Sequence, residues 1–225
     1  MRPGVLIVLE GAEGAGKTTQ LALLAERLRA AGNEVLTLRE PGGTALGDSI
    51  RGLLLDPAWD IVPGAEALLF LASRAQLVKT EIDPALARGV VVLMDRFFLS
   101  TYAYQIDGRG LDERLVRSAN ELATAGLVPD LTLVLEIPAA EGLARASERS
   151  GHDRIEGSGE EFHSMVEKAF ERFGHGDWQR EHRECGPVVR VDGRGSPGTV
   201  HVGISEALAR NLPERFGMLL ETGAG

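Results

Sequence analysis

The chain has 225 residues, 44% of them apolar, which is enough for a full core in one domain and too apolar for a disordered protein. Its 33 acidic and 24 basic residues leave a formal net charge of -9, and no basic stretch marks a nucleic-acid partner. No apolar run is long enough to span a bilayer, the first residues lack a signal pattern, and the single cysteine, Cys185, excludes an internal disulfide, so a soluble cytoplasmic protein is expected.

In chain order, the apolar run 5–9 predicts a buried strand. Gly11-Ala12-Glu13-Gly14-Ala15-Gly16-Lys17-Thr18-Thr19 follows, and then a helix over 17–31. Strand 34–38 ends in the turn Arg39-Glu40-Pro41-Gly42-Gly43-Thr44, ahead of helices over 44–55 and 65–87. Strand 90–94 ends in Asp95-Arg96, and a helix is expected over 112–125. Strand 131–137 leads to a helix over 139–149, then to a glycine-flanked charged segment that reads as a mobile lid over about 148–159. A helix over 160–183, strand 188–191 and a helix over 197–210 complete the alternation. The pattern predicts an α/β fold: a doubly wound, about five-stranded parallel sheet with helices on both faces. One domain is expected over 1–212, with a short tail over 213–225.

Ligands in such folds bind beyond the carboxyl ends of the strands. After the first strand, the spacing Gly-x4-Gly-Lys-Thr is that of a phosphate-binding loop. Its amides and the helix N-terminus converge on an anion, Lys17 adds a charge for the β- and γ-phosphates, and Thr18 offers a hydroxyl to Mg²⁺. A plain glycine-rich turn is the alternative, and the flanking strand and helix argue against it. After the third strand, Asp95 reads as a magnesium ligand and Arg96 as a phosphate bridge, or the two form a structural ion pair. Arg145 and Arg149, four apart, share a helix face, and Arg154 follows in the lid segment, so these cations suit charge on a transferring phosphoryl group, or they form an exposed charged helix end. Phe70 and Arg74 are also four apart. They read either as a core ring beside a surface charge or as a platform and hydrogen-bonding fork for a flat base.

Taken together, Glu10 to Thr19, Arg39 to Thr44, Leu69-Phe70-Leu71-Ala72-Ser73-Arg74, Asp95-Arg96, Ser100-Thr101-Tyr102-Ala103-Tyr104-Gln105, Pro129-Asp130-Leu131-Thr132 and Asp153-Arg154-Ile155-Glu156 resemble the thymidylate kinase family, in family order over roughly residues 4–210. The resemblance implies the P-loop NTPase fold, ATP-dependent phosphorylation of dTMP to dTDP with Mg²⁺, and a homodimer. It places ATP on Gly11 to Thr19, with Arg145 against adenine, and Glu13 near the acceptor's 3′-hydroxyl. Arg39 and Arg96 would hold the acceptor phosphate. Phe70 would stack on thymine with Arg74 at its edge, Ser100 and Gln105 would face the base, and Tyr104 would crowd the 2′ carbon of the sugar. Lys17, Arg96, Arg149 and Arg154 would act on the transferring phosphate, and Thr18 and Asp95 on the metal. Ala15 stands where one branch of the family carries a catalytic arginine, so the resemblance is to the branch that moves this cation to the lid. Phe97 departs from the Tyr or His common at its position, and residues 174–186 carry no interpretable motif. Kinases for other nucleoside monophosphates, and a P-loop ATPase switch acting on a partner protein, are the competing readings.

Overall fold

The computed structural model describes residues 2–138, 141–142, 145 and 153–219. Strand β1 (Val5–Glu10, VLIVLE) is buried along its whole length, as an apolar run flanked by strands and covered on both faces must be. It lies in the middle of a five-stranded sheet of order β2-β3-β1-β4-β5, in which β2 is Val35–Arg39, β3 Val91–Asp95, β4 Leu131–Glu136 and β5 Val188–Asp192. All four pairings are parallel. Each expected strand is met within one residue at either end.

Successive side chains leave opposite faces of a strand. Val5, Ile7 and Leu9 therefore pack with Leu24 and Leu28 of α1 (Lys17–Ala30) and with Ile204 and Leu208 of α9 (Pro197–Asn211). Leu6 and Val8 face the other core, with Leu77, Phe97 and the aromatic residues of α7 (Glu160–Phe173). Local capping fixes several helix starts. Thr44 Oγ1 accepts the Gly47 amide at the start of α2 (Ala45–Leu55), Asp112 accepts the Leu115 amide at α6 (Glu113–Thr124), and Ser196 accepts the Thr199 amide at α9.

Two helical expectations are modified, and one helical stretch is added. The helix expected over 65–87 begins at Pro63 as α3 (Pro63–Leu77), widens to a π turn over Val78–Ile82 and ends as α4 (Asp83–Ala87). Pro84 explains the π turn: its ring crowds the carbonyl four residues back, and the wider turn accommodates it, with the Asp83 amide reaching Val78 O. The helix expected over 160–183 stops at Phe173, with Gly174 closing its last turn, and a short α8 (Gly176–Glu181) follows. A helical stretch that the sequence did not suggest, α5 (Phe98–Thr101) with a π segment over Tyr102–Gly108, follows β3.

The stretch from 213 is part of the fold as far as it is described. Phe216 of α10 (Pro213–Phe216) is fully buried, Leu219 is 4% exposed, and Arg27 donates to Leu219 O at 2.7 Å. The helix expected over 139–149 lies largely outside the described residues, as does the lid segment up to residue 152. No helix among the described residues is long and apolar enough to cross a membrane.

Candidate active site

The register sets the carboxyl end of the sheet. Arg39 pairs with Asp95 across β2 and β3, and Leu9 pairs with Asp95 across β1 and β3, so the residues that follow β1, β2 and β3 emerge at one level. They line a cavity of about 620 Å³ that brings together Glu13, Gly14, Gly16, Lys17, Thr18, Arg39, Phe70, Arg74, Asp95, Arg96, Ser100, Tyr104 and Gln105.

The phosphate loop is built by close approaches. Gly11 has φ +143°, and a Cβ there would sit 2.6 Å from Leu135 O; Gly14 has φ +72°, and a Cβ would meet the Gly142 carbonyl. Lys17 is buried, and its Nζ donates to Gly11 O at 3.0 Å and Ala12 O at 2.8 Å. Burial, and then the nearby Arg96, lower its pKa to about 8 against the opposing pull of Asp95, Glu13 and Glu10. Thr18 Oγ1 donates to Asp95 Oδ2 at 2.8 Å. These are hard oxygen donors, on a hydroxyl and a carboxylate beside the phosphate loop, which fits Mg²⁺ completed by phosphate and water.

Arg96 has φ +71°, an uncommon conformation for a side chain of its size. Fully buried Glu10 holds the turn in place: its Oε1 accepts the Phe97 amide at 2.7 Å and the Ser100 amide at 3.1 Å, and its Oε2 accepts the Ser100 hydroxyl at 2.7 Å. Arg96 reaches into the cavity, donating to Glu13 Oε2 at 3.1 Å, Ser100 Oγ at 3.1 Å and Gly11 O at 3.3 Å, with its guanidinium 5.1 Å from the Tyr104 ring centre. Burial works against its charge, but Tyr104 and the carboxylates Glu13, Asp95 and Glu10 outweigh it and raise its pKa. Arg39 is exposed at the mouth and has no hydrogen-bond partner among the described residues.

Phe70 is half-buried and faces this cavity rather than the core. Arg74, 2% exposed, lines the same wall, but all five of its N–H donors are engaged: two on Glu40 Oε2 at 2.8 and 2.6 Å, and the others on Phe97 O, Thr101 Oγ1 and Asn120 Oδ1. A base edge can be reached only by releasing one of these bonds. Phe97 is fully buried, its ring under Arg74 and edge-on to Phe98, so the missing Tyr or His polar group falls outside the cavity. Ser100 lines the cavity with its hydroxyl bonded to Glu10 and Arg96.

A second cavity, of about 460 Å³, opens on the other side of the phosphate loop between Gly14, Ala15, Gly16, Thr19, Gln20, Arg145 and Gly193. Arg145 is held there by Glu141 and by Gly193 O at 3.4 Å. Arg149 lies outside the described residues. Arg154 is not brought to the phosphate loop: its Nη2 donates to Glu66 Oε2 at 2.6 Å, its Nε to Leu54 O at 2.8 Å and its backbone amide to Leu55 O, although neighbouring Asp153, Ile155 and Glu156 line the main cavity. The pair Arg154–Glu66 thus fixes a segment to α2 and α3.

Two positions at or behind the cavity wall escaped the sequence reading. Arg51 lines the cavity and donates to Pro41 O at 3.1 Å; burial and then the neighbouring Arg39 lower its pKa, with Arg96 adding to the effect. It lies four residues after the buried Gly47 on α2, a spacing that would have placed it on the face toward the Pro41-Gly42 turn. Glu66, 1% exposed, is a carboxylate within an apolar helix, four residues before Phe70 and eight before Arg74. That isolation was the legible signal.

A parallel sheet with a phosphate loop, an Asp–Thr pair and clustered arginines facing an aromatic-walled pocket defines a P-loop phosphotransferase acting on a small phosphorylated acceptor. The comparisons with known proteins narrow the class. The family model described as thymidylate kinase matches residues 9–181. A thymidylate kinase of Deinococcus radiodurans is 51% identical over 180 residues, covering 80% of this chain and 87% of that protein; one from Synechococcus sp. (strain JA-2-3B'a(2-13)) is 48% identical over 211 residues, covering 93% and 96%. The crystal structure of thymidylate kinase from Ehrlichia chaffeensis superposes with a TM-score of 0.69 at 29% identity, covering 91% of this chain and 98% of that one. The chain belongs to the thymidylate kinase family.

Proposed function

We propose that this protein transfers the γ-phosphate of ATP to dTMP, giving dTDP and ADP. One observation carries the reading: a single cavity joins the phosphate loop with Lys17, Thr18 and Asp95 to an opposite wall of Phe70, Tyr104 and Gln105, with Arg39, Arg51 and Arg96 between them. ATP phosphates lie on the loop amides from Gly11 to Thr19, and adenine enters the second cavity against Arg145. The bond from Lys17 Nζ to two loop carbonyls is exchanged for phosphate oxygens. Phe70 stacks on thymine, Gln105 faces the base edge, Tyr104 crowds the 2′ carbon and Glu13 approaches the 3′-hydroxyl. Arg39, Arg51 and Arg96 hold the dTMP phosphate for in-line attack.

An acceptor phosphate oxygen forms the new bond to the γ-phosphorus as the bond to the β,γ-bridging oxygen breaks, leaving ADP. That oxygen is already anionic near neutral pH, so no general base is required. Mg²⁺, which Thr18 and Asp95 are suited to hold, supplies charge neutralisation across the phosphates when bound. With Ala15 in the loop, the resemblance assigns the cation on the transferring group to Arg149 and Arg154; with Arg154 bonded to Glu66 and Leu54 O, Arg149 takes this role and Arg154 keeps its segment in place. The cytoplasm is the compartment we propose.

Rates with dTMP, UMP, CMP, AMP and GMP test the assignment. dTMP is expected to be used fastest, and equal or better use of another acceptor overturns the reading. In the same assay Arg149→Ala lowers turnover more than dTMP affinity, and the reverse pattern assigns Arg149 to binding. An acceptor-independent ATPase rate as fast as transfer would favour the switch protein instead.

A further inference from the structure

Glu66 sits behind the acceptor wall, and its two oxygens accept four hydrogen bonds. Oε1 takes Gln105 Nε2 at 3.2 Å and Arg109 Nε at 3.1 Å; Oε2 takes Arg109 Nη2 at 3.1 Å and Arg154 Nη2 at 2.6 Å. Burial opposes its charge, but the bonds from Arg109 and Arg154 more than offset this and hold its pKa below the usual carboxylate value. An ionised carboxylate has no proton to donate, so Gln105 meets Glu66 with its NH₂ group. The amide's carbonyl oxygen is then its free end, in a residue that lines the cavity.

We propose that Glu66 is a positioning residue for pyrimidine selectivity: it locks the Gln105 amide so that an acceptor, and not the NH₂ group, is offered to the base. This rests on the reading that the base lies against Gln105. Thymine carries an N–H at ring position 3, complementary to a carbonyl oxygen, whereas cytosine presents a lone pair there. An unrestrained glutamine would rotate to suit either base; one held by a carboxylate sets lone pair against lone pair when cytosine enters. Arg109 strengthens the lock. It spans both Glu66 oxygens, reaches Ser158 Oγ at 3.0 Å and lies 4.3 Å from the Phe162 ring centre, which leaves the carboxylate little freedom to turn.

The test is the ratio of kcat/KM for dTMP to that for dCMP in wild type, Glu66→Gln, Gln105→Leu and the double variant. Glu66→Gln presents both an oxygen and an NH₂ group to Gln105, so either amide orientation is allowed. The ratio is expected to fall about tenfold in each single variant, mostly through KM, with no further fall in the double. If Gln105→Leu leaves the ratio unchanged, the base does not read Gln105 and the binding reading itself fails. If Gln105→Leu lowers the ratio and Glu66→Gln does not, or if the two effects add, the orientation proposal is overturned. Arg154→Met keeps the Glu66–Gln105 bond and is expected to hold the ratio within about twofold of wild type; a collapse there assigns selectivity to the Arg154 clasp instead. Should Glu66→Gln fail to fold, the same comparison is made in Arg154→Met, where the surplus cation is gone.

Discussion

Lys17 and Arg74 show how differently two buried cations are treated. Lys17 is desolvated and bonded only to loop carbonyls, which brings its pKa to about 8. Before phosphate arrives, its charge is therefore held against a solvation cost. Lys17→Met is expected to abolish transfer and yet raise the Tm of the nucleotide-free protein at about pH 7. The folded pKa lies below the unfolded value of 10.5, so the fold binds fewer protons than the unfolded chain between those values. Wild type then gains stability as pH rises through 8 toward 10.5, and this contribution is lost as pH falls through 8. The Tm gap between variant and wild type should be constant below about pH 7 and narrow from about pH 8 to about pH 10; a gap that stays constant over that range would show that Lys17 is not depressed. Arg74, in contrast, has every donor matched and forms an ion pair with Glu40, which is 6% exposed. Arg74→Leu leaves that carboxylate without its cation and should cost about 3–5 kcal/mol in denaturant unfolding. Unchanged stability with weakened dTMP binding would make Arg74 a base contact first.

At the scale of elements, Glu10 explains what sequence patterns could and could not reveal. The strands were legible because each is a run of apolar residues with a glycine, proline or charge at its end. The phosphate loop was legible because its whole geometry is encoded in nine consecutive residues. Helix α5 was not. No side chain at its N-cap caps it; the amides of Phe97 and Ser100 are satisfied by Glu10, 87 and 90 positions away along the chain. The same distance effect hid Arg51 and Glu66, whose partners come from other elements, and it displaced Arg154, whose spacing from Arg149 says nothing of a buried carboxylate on α3. Glu10 thus links the end of β1 to the turn that carries Arg96. Glu10→Ala strands two amides and a hydroxyl, costs about 1–3 kcal/mol for each group left unsatisfied, and lets Arg96 leave its left-handed conformation. Both a lower Tm and a higher KM for dTMP are expected. A lower Tm with unchanged KM would separate the turn from the acceptor site.

For the whole molecule, two cores cover both faces of the sheet, yet several leucines of adjoining helices stay exposed. Leu46 and Leu53 lie seven apart on α2 and are 51% and 43% exposed; Leu115 and Leu122 lie seven apart on α6 and are 65% and 86% exposed; Leu68, 64% exposed, is on α3, which packs against both helices. Residues seven apart share a helix face, so each of the two pairs forms a ridge along its own helix. A second copy of the chain seated on these leucines would make the homodimer that the family resemblance implies. The same α3 carries Glu66, Phe70 and Arg74, so an interface there would brace the acceptor wall. A Leu68→Asp, Leu122→Asp double variant should run at the monomer mass in light scattering where wild type runs at twice 24.1 kDa, and should bind dTMP more weakly than wild type. A wild-type protein that is already monomeric at assay concentration, or a monomeric variant with unchanged dTMP affinity, would separate this surface from acceptor binding and leave α3 braced by its packing on α2 and α6 and by the hydrogen bonds of Arg74 and Glu66.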